Sequence, residues 1–257
     1  MDLDLKNKHI IVAGGLGGIG KKTVELLLEE GAKVTIFTQS KINKEINFES
    51  KSCLEIVETD YSKQEILEYD LEKVNKKIKL EGVIIMIGTG RSNDEIFSNE
   101  PEVRKLWNIN YYFPREIAKA FVNVTKSFVE EEKKQEFFIT FCSSIAAKTF
   151  LNAPTEYSVA KAALEKLTKE LSWKLAPLYR VNCISPGNIF FEGGTWDKIR
   201  KSGKLNLQKM LNDKVPAKRF GEPIDIASFA VFLSSSKVSS FFNGSCINID
   251  GGQTTSL

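Results

Sequence analysis

The chain has 257 residues, 42% apolar and 27% charged, with 36 basic against 33 acidic side chains and a net charge of +3. That length suits one large domain with a real core, and lysines scattered from Lys21 and Lys22 to Lys198 and Lys201 describe solvated helix faces rather than a nucleic-acid stripe. The apolar run VIIMI at 83–87 is too short to span a membrane and the charged start MDLDLKNKH has no signal-peptide pattern, so a soluble, cytoplasmic protein is expected.

In chain order, short apolar runs alternate with helical patterns. HIIVA (9–13) predicts a first strand, followed by five glycines between positions 14 and 20 and the helix TVELLLEEG closed by Gly31. KVTIF (33–37) and LEIVE (54–58) predict two more strands, and Leu67, Leu71, Val74 and Ile78 lie on one face of a helix. GVIIMI (82–87) is the fourth strand, and Ile117, Phe121, Val124 and Phe128 repeat the helical spacing. FFITF (137–141) is the fifth, followed by a helix that Pro154 opens and Leu164, Leu167, Leu171 and Leu175 bury. RVNCIS (180–185) and CINID (246–250) are the sixth and seventh, and the mixed segment 188–220 between them sits where a substrate lid would. The near-continuous apolar strands predict a parallel sheet covered on both faces. The expected fold is therefore α/β: a single-domain, Rossmann-type, doubly wound seven-stranded parallel sheet over 1–257. The lone histidine, His9, opens a buried strand. Cys53, Cys142, Cys183 and Cys246 have no metal-ligand spacing, so no metal is expected and the thiols read as small buried side chains.

The glycine run can be read in two registers. Gly15, Gly17 and Gly20 spell G-x-G-x-x-G, whereas Gly14, Gly18 and Gly20 spell the wider G-x-x-x-G-x-G. Either one, between a strand and a helix, places phosphates at a helix N-terminus and implies a dinucleotide. The second strand ends in Thr38, Gln39, Ser40 and Lys41 with no carboxylate to repel a 2′-phosphate, which favours NADP(H) over NAD(H). Asp60, after the third strand, is placed to meet the adenine edge.

A tyrosine can exchange a proton with a carbonyl if a cation pulls its phenol below the ordinary value of about 10. In YSVAK, Lys161 follows Tyr157 by one helical turn; Tyr69 and Lys73 in YDLEK share that spacing but sit on a flanking helix. Ser144, in TFCSSIAA, ends the fifth strand and can hold a substrate oxygen, and Asn110, in WNINYYF, lies on the preceding helix.

With ISPGN and NIDGG ending the last two strands, the whole chain resembles a classical short-chain dehydrogenase/reductase. The resemblance selects Gly14, Gly18 and Gly20 as the working glycines. It implies that Tyr157 is the general acid or base, that Lys161 lowers its pKa and binds the nicotinamide ribose, that Ser144 polarises the carbonyl, and that Asn110 holds a relay water. It further implies cofactor contacts from Ile19, Tyr61, Gly88, Gly90, Pro186, Gly187 and Ile189, and a homotetramer or homodimer built on helices around 102–130 and 155–176. The segment RFGEP, with Arg219, Gly221, Glu222 and Pro223, matches the family's entry to its last long helix.

Three departures stand out: Ala13 replaces a threonine, Ile87-Gly88-Thr89-Gly90 replaces N-N-A-G and its two stitching asparagines, and Asn188-Ile189-Phe190-Phe191 lacks the usual threonine. Loop support must then come from elsewhere. A substrate pocket is expected from Ser144, Arg91, Asn152, Phe190, Phe191 and Trp196, the aromatics either lining it or anchoring the lid. The expected activity is interconversion of a carbonyl and a secondary alcohol on a small molecule. A catalytically silent NADP(H) sensor and an enzyme modifying nucleotide sugars or surface glycans share parts of the pattern. The first would tolerate loss of Tyr157, and the second suits a longer chain with G-x-x-G-x-x-G.

Overall fold

In the computed structural model, which describes residues 1–39, 48, 51–90, 96–131, 137–203 and 205–255, strands and helices alternate as the periodicity predicts. They run β1 (His9–Ala13), α1 (Gly18–Glu29), β2 (Lys33–Thr38), β3 (Leu54–Glu58), α2 (Gln64–Lys77), β4 (Leu80–Ile85), α3 (Glu100–Trp107), α4 (Phe113–Glu131) and β5 (Phe137–Cys142). Then follow α5 (Thr155–Lys174), β6 (Tyr179–Pro186), α6 (Thr195–Ser202), α7 (Leu207–Lys214), α8 (Pro223–Ser234), α9 (Ser236–Ser239) and β7 (Cys246–Ile249). The strands form one sheet in the order β3-β2-β1-β4-β5-β6-β7, parallel throughout. This is a single-domain Rossmann-type fold. Strand order reverses between β1 and β4, and a crevice at such a switch point is where α/β sheets bind ligands.

Side chains alternate across each strand, so the sheet carries a core on each face. On one face Ile11, Val83, Ile139 and Val181 pack under Leu67, Leu71, Phe121 and Leu164 of α2, α4 and α5. On the other, Ile10, Val34, Ile84 and Ile184 meet Val24 and Leu27 of α1 and Ile226 and Ala230 of α8. Burying each large apolar side chain contributes about 1.5–3 kcal/mol. Among the described residues no helix is long and apolar enough to cross a membrane.

Two boundaries differ from expectation. β4 runs Leu80–Ile85 rather than 82–87, because Asn75 Oδ1 caps Leu80 N at 2.8 Å and starts the strand early. A register shift against β1 falls between His9 and Ile10. Met86 and Ile87 are thereby released into the loop above the sheet. Ile78, expected on the buried face of α2, instead caps the helix and is exposed. Of the four thiols only Cys183 is fully buried; Cys53, Cys142 and Cys246 are half-buried, and Cys183 and Cys246 are cross-strand partners on β6 and β7.

His9 Nδ1 donates to Ile78 O at 2.9 Å, so its buried Nε2, 2.9 Å from Thr35 Oγ1, is the acceptor. Burial holds its pKa below the ordinary 6.5. The unfolded chain therefore binds a proton at higher pH than the native one, so stability is full above about 6.5 and declines as pH falls. His9 is the only histidine. Urea midpoints recorded between pH 7 and about 4.5 should fall with pH in the wild type and lose most of that slope in His9→Gln.

Candidate active site

The chain leaves β1 into a turn that only certain residues can make. Gly14 has φ +82°, and a Cβ there would stand 3.1 Å from the backbone of Met86 on β4's extension. A Cβ on Gly20 would lie 2.2 Å from Gly14 O, a backbone clash that no side-chain movement relieves. On Gly18 it would enter the ring of Phe191, 2.3 Å from the nearest carbon. Gly17 is the N-cap of α1, and a Cβ there meets only Gly14 O at 3.5 Å, an ordinary contact. Gly15 is tighter than a flexible turn requires, wedged 3.0 Å from both Ile36 and Val24. The steric demand thus falls on Gly14, Gly18 and Gly20, with Gly15 held by packing. No side chain caps α1, so the N–H groups at Gly18, Ile19 and Gly20 and the positive end of the helix dipole present themselves to an anion.

Beside this turn Tyr61 points inward rather than toward a ligand. Its phenol is buried, donates to Phe37 O at 2.5 Å and is pushed up by burial; it supports the turn from below, since Gly14 N donates to the same carbonyl at 3.1 Å. Asp60 accepts from Ser62 Oγ at 2.6 Å and Ser62 N at 2.9 Å, contacts that hold its carboxyl below the usual range, with help from Lys63 and the Gln39 side chain. Thr38 is buried at the end of β2, its carbonyl accepting Thr59 N at 2.9 Å. Ser40 and Lys41 lie outside the described residues, as does Arg91.

Four polar side chains expected to act together converge across the switch point. Tyr157 sits in the first turn of α5, close enough to Ser144 just past β5 for the hydroxyl to lower its pKa, with Gly90 against its ring: a Cβ there would be 3.7 Å away. Lys161, one turn on, is 2% exposed, and its Nζ donates to Cys142 O at 2.8 Å and Ile87 O at 3.4 Å. Gly88 lies beside that ammonium: a Cβ there would stand 2.8 Å from Nζ. Asn110 lies in a π-helical turn, Asn108–Tyr112, between α3 and α4. Its Oδ1 accepts Thr89 N at 3.0 Å, and its Nδ2 donates to Thr89 O at 3.0 Å and Leu106 O at 2.9 Å.

Burial pushes the Tyr157 phenol up to about 12 and Ser144 opposes that shift, while the Lys161 Nζ donates to carbonyls. Burial also pushes the Lys161 ammonium down. The Asn110 side chain, with both amide hydrogens on backbone oxygens, clamps the loop at Thr89.

The aromatics of 188–220 gather around Phe220, which no local pattern singles out. Phe220 lies 5.6 Å from Phe190 and 5.3 Å from Trp196, because Ile189 bridges to Gly221 and brings the two ends of the segment together. Arg200 stacks on Phe190 at 5.0 Å. Phe191 packs on Gly18 and Gly194. Phe190, Trp196 and Phe220 thus hold the two ends of the segment together, while Phe191 faces the glycine turn. Asn152 is exposed with φ +55°, a turn residue. Gly187 N donates to Ile249 O at 2.9 Å, and a Cβ on Gly187 would meet Asp250 at 2.7 Å, so Pro186–Gly187 and the D-G-G end of β7 share one close approach. Tyr69 is exposed on α2, while Tyr179 stacks on Phe137 in the core and shares its hydroxyl with Thr125. Among the described residues no three His, Cys, Asp or Glu side chains are grouped to hold a metal.

Comparison with known proteins agrees with this architecture. The family model described as Enoyl-(Acyl carrier protein) reductase matches residues 14–254. The chain is 28% identical to isoepoxydon dehydrogenase patN of Aspergillus clavatus, covering 96% of this chain and 95% of that one. It is also 28% identical to the 3-oxoacyl-(acyl-carrier-protein) reductase FabG of Chlamydia pneumoniae, over 99% and 100%. A short-chain dehydrogenase from Leptospira borgpetersenii, solved with NAD+, superposes with a TM-score of 0.83 at 24% identity over 97% and 94%. ElxO with NADP bound superposes at 0.86, with 21% identity over 96% and 98%. At these identities the two structures share the fold.

The glycine geometry is open to a direct test. Gly20→Ala should destabilise the protein by about 3 kcal/mol or more through the clash of its Cβ with Gly14 O, whereas Gly17→Ala should cost no more than about 1 kcal/mol. Urea unfolding of the two variants measures the difference.

Proposed function

This chain belongs to the short-chain dehydrogenase/reductase family, and on that premise we propose that it interconverts a carbonyl and a secondary alcohol of a small molecule, with NADP(H) preferred. The observation that carries this is the convergence of Ser144, Tyr157 and Lys161 beside a glycine turn whose helix N-terminus is uncapped. The turn fits a dinucleotide: glycine at 18 lets backbone N–H groups approach a pyrophosphate, and Ala13, Ile85 and Cys142 end the strands that frame the crevice. The bound nicotinamide supplies or accepts the hydride.

The remaining chemistry belongs to this chain. Ser144 Oγ orients the substrate oxygen next to Tyr157, whose phenol it pulls back down against burial. In reduction Tyr157 Oη gives its proton to that oxygen, and in oxidation it takes the proton away. A phenol held near 12 is a poor acid at neutral pH. Lys161 has no carboxylate partner, so its charge is available to the nicotinamide ribose and to the tyrosinate that forms. Asn110 keeps the Ile87–Gly90 loop, and with it one of the carbonyls holding Lys161, in place.

The NADP(H) preference rests on the end of β2, where Thr38, Gln39, Ser40 and Lys41 offer donors and no carboxylate. Tyr112, Val159 and Trp173 are exposed apolar side chains on the helical segments expected to join subunits, which supports a homodimer or homotetramer. Unpaired cysteines suit the cytoplasm.

Tyr157→Phe should lower kcat at least about 100-fold in a carbonyl panel read by NADPH absorbance, with the dissociation constant for NADPH unchanged by fluorescence titration. Retained turnover, or no binding of NADPH or NADH to the wild type, would contradict the assignment.

A further inference from the structure

Phe191 is the one large apolar side chain seated on the phosphate-facing glycine. A Cβ on Gly18 would fall 2.3, 2.5 and 2.6 Å from three carbons of its ring, which places the ring directly on the Gly18 backbone. That is the approach a pyrophosphate needs when it accepts hydrogen bonds from the first turn of α1. From these positions we infer that the Phe191 ring and the phosphates of the dinucleotide compete for one face of Gly18, so that Phe191 gates the cofactor site. The inference rests on the dinucleotide-binding function proposed above.

The gate has a fixed base and somewhere to swing. Phe190 N donates to Gly221 O at 2.8 Å and Ile189 bridges to Gly221, pinning the strand-like entry. Beyond it, Gly194 N donates to Phe191 O at 3.1 Å, and Gly193, with φ +75°, donates its N–H to the fully buried Asp197 carboxylate at 2.9 Å. Arg200 at 2.7 Å and Lys201 at 2.8 Å neutralise that carboxylate, so the turn carrying Phe191 is latched on both sides. The side chain itself is only half-buried. It borders an open cavity lined also by Phe190, Arg219, Phe220, Glu222 and Pro223. Rotation into that cavity clears Gly18 without unlatching the backbone.

A protein whose binding-competent form is a minor fraction shows an affinity reduced by that fraction. Removing the ring should therefore tighten binding, the reverse of what loss of a ligand contact does. By isothermal titration, Phe191→Ala should bind NADPH about fivefold or more tightly than the wild type, with Phe191→Leu, which keeps apolar packing at this site, in between. Without any nucleotide, deuterium exchange of the peptide spanning residues 10–22 should be faster in Phe191→Ala, because the ring no longer shields the turn. Equal or weaker NADPH binding by the alanine variant, or unchanged exchange, overturns the competition while leaving the oxidoreductase assignment standing. Failure of wild type and variants alike to bind NADPH or NADH overturns both.

Discussion

A buried ammonium without a carboxylate organises this molecule. Lys161 is 2% exposed, and the partners of its Nζ are carbonyl oxygens at the ends of β5 and of the β4 loop. Taking such a charge out of water costs several kcal/mol, and hydrogen bonds involving a charged group return about 1.5–3 kcal/mol each. Two carbonyls leave the charge incompletely matched, which agrees with burial pushing its pKa down. A charge so placed is available to whatever negative or polar group enters the crevice.

The surroundings of that ammonium are built to keep the carbonyls where they are. Gly88 leaves room for the ammonium, since a Cβ there would stand 2.8 Å from Nζ. Asn110 spends its whole amide on the backbone of Thr89 and Leu106, and leaving those buried partners unsatisfied would cost about 1–3 kcal/mol apiece. The π-helical turn that carries Asn110 is a local departure from α-geometry of the kind often found at functional sites. On the opposite side of the switch point, Gly14 touches Met86, so the glycine turn and the lysine's loop are parts of one packed unit. The glycine turn and the buried lysine thereby share the loop that follows β4.

Much of this was legible in the sequence because its signals are local. Strands announced themselves by apolar runs, and the register of the glycines matters because Gly14, Gly18 and Gly20 meet backbone or ring at short distance while Gly17 does not. Tyr157 could be told from Tyr69 by its neighbours, and the fold separates them: one beside Ser144 at a strand's end, the other exposed on a flanking helix. What stayed hidden depends on contacts distant along the chain. Phe220 became the centre of the aromatics of 188–220 only through the Ile189–Gly221 bridge, about thirty residues apart in sequence. Asn110's bonds to Thr89 join residues 21 apart, a pairing that no local pattern announces. Tyr61 turned inward, although its place after β3 suggested a ligand contact. Periodicity also could not foresee that Asn75 would start β4 early and leave Ile78 outside the helix it seemed to continue.

The most direct test of the account is a crystal structure of the protein soaked with NADPH. Pyrophosphate density on the N–H groups of Gly18 to Gly20, with the nicotinamide ribose at Lys161 and the nicotinamide ring facing Tyr157 and Ser144, is the predicted result. Nucleotide density elsewhere on the molecule, with the turn after β1 empty, would contradict it.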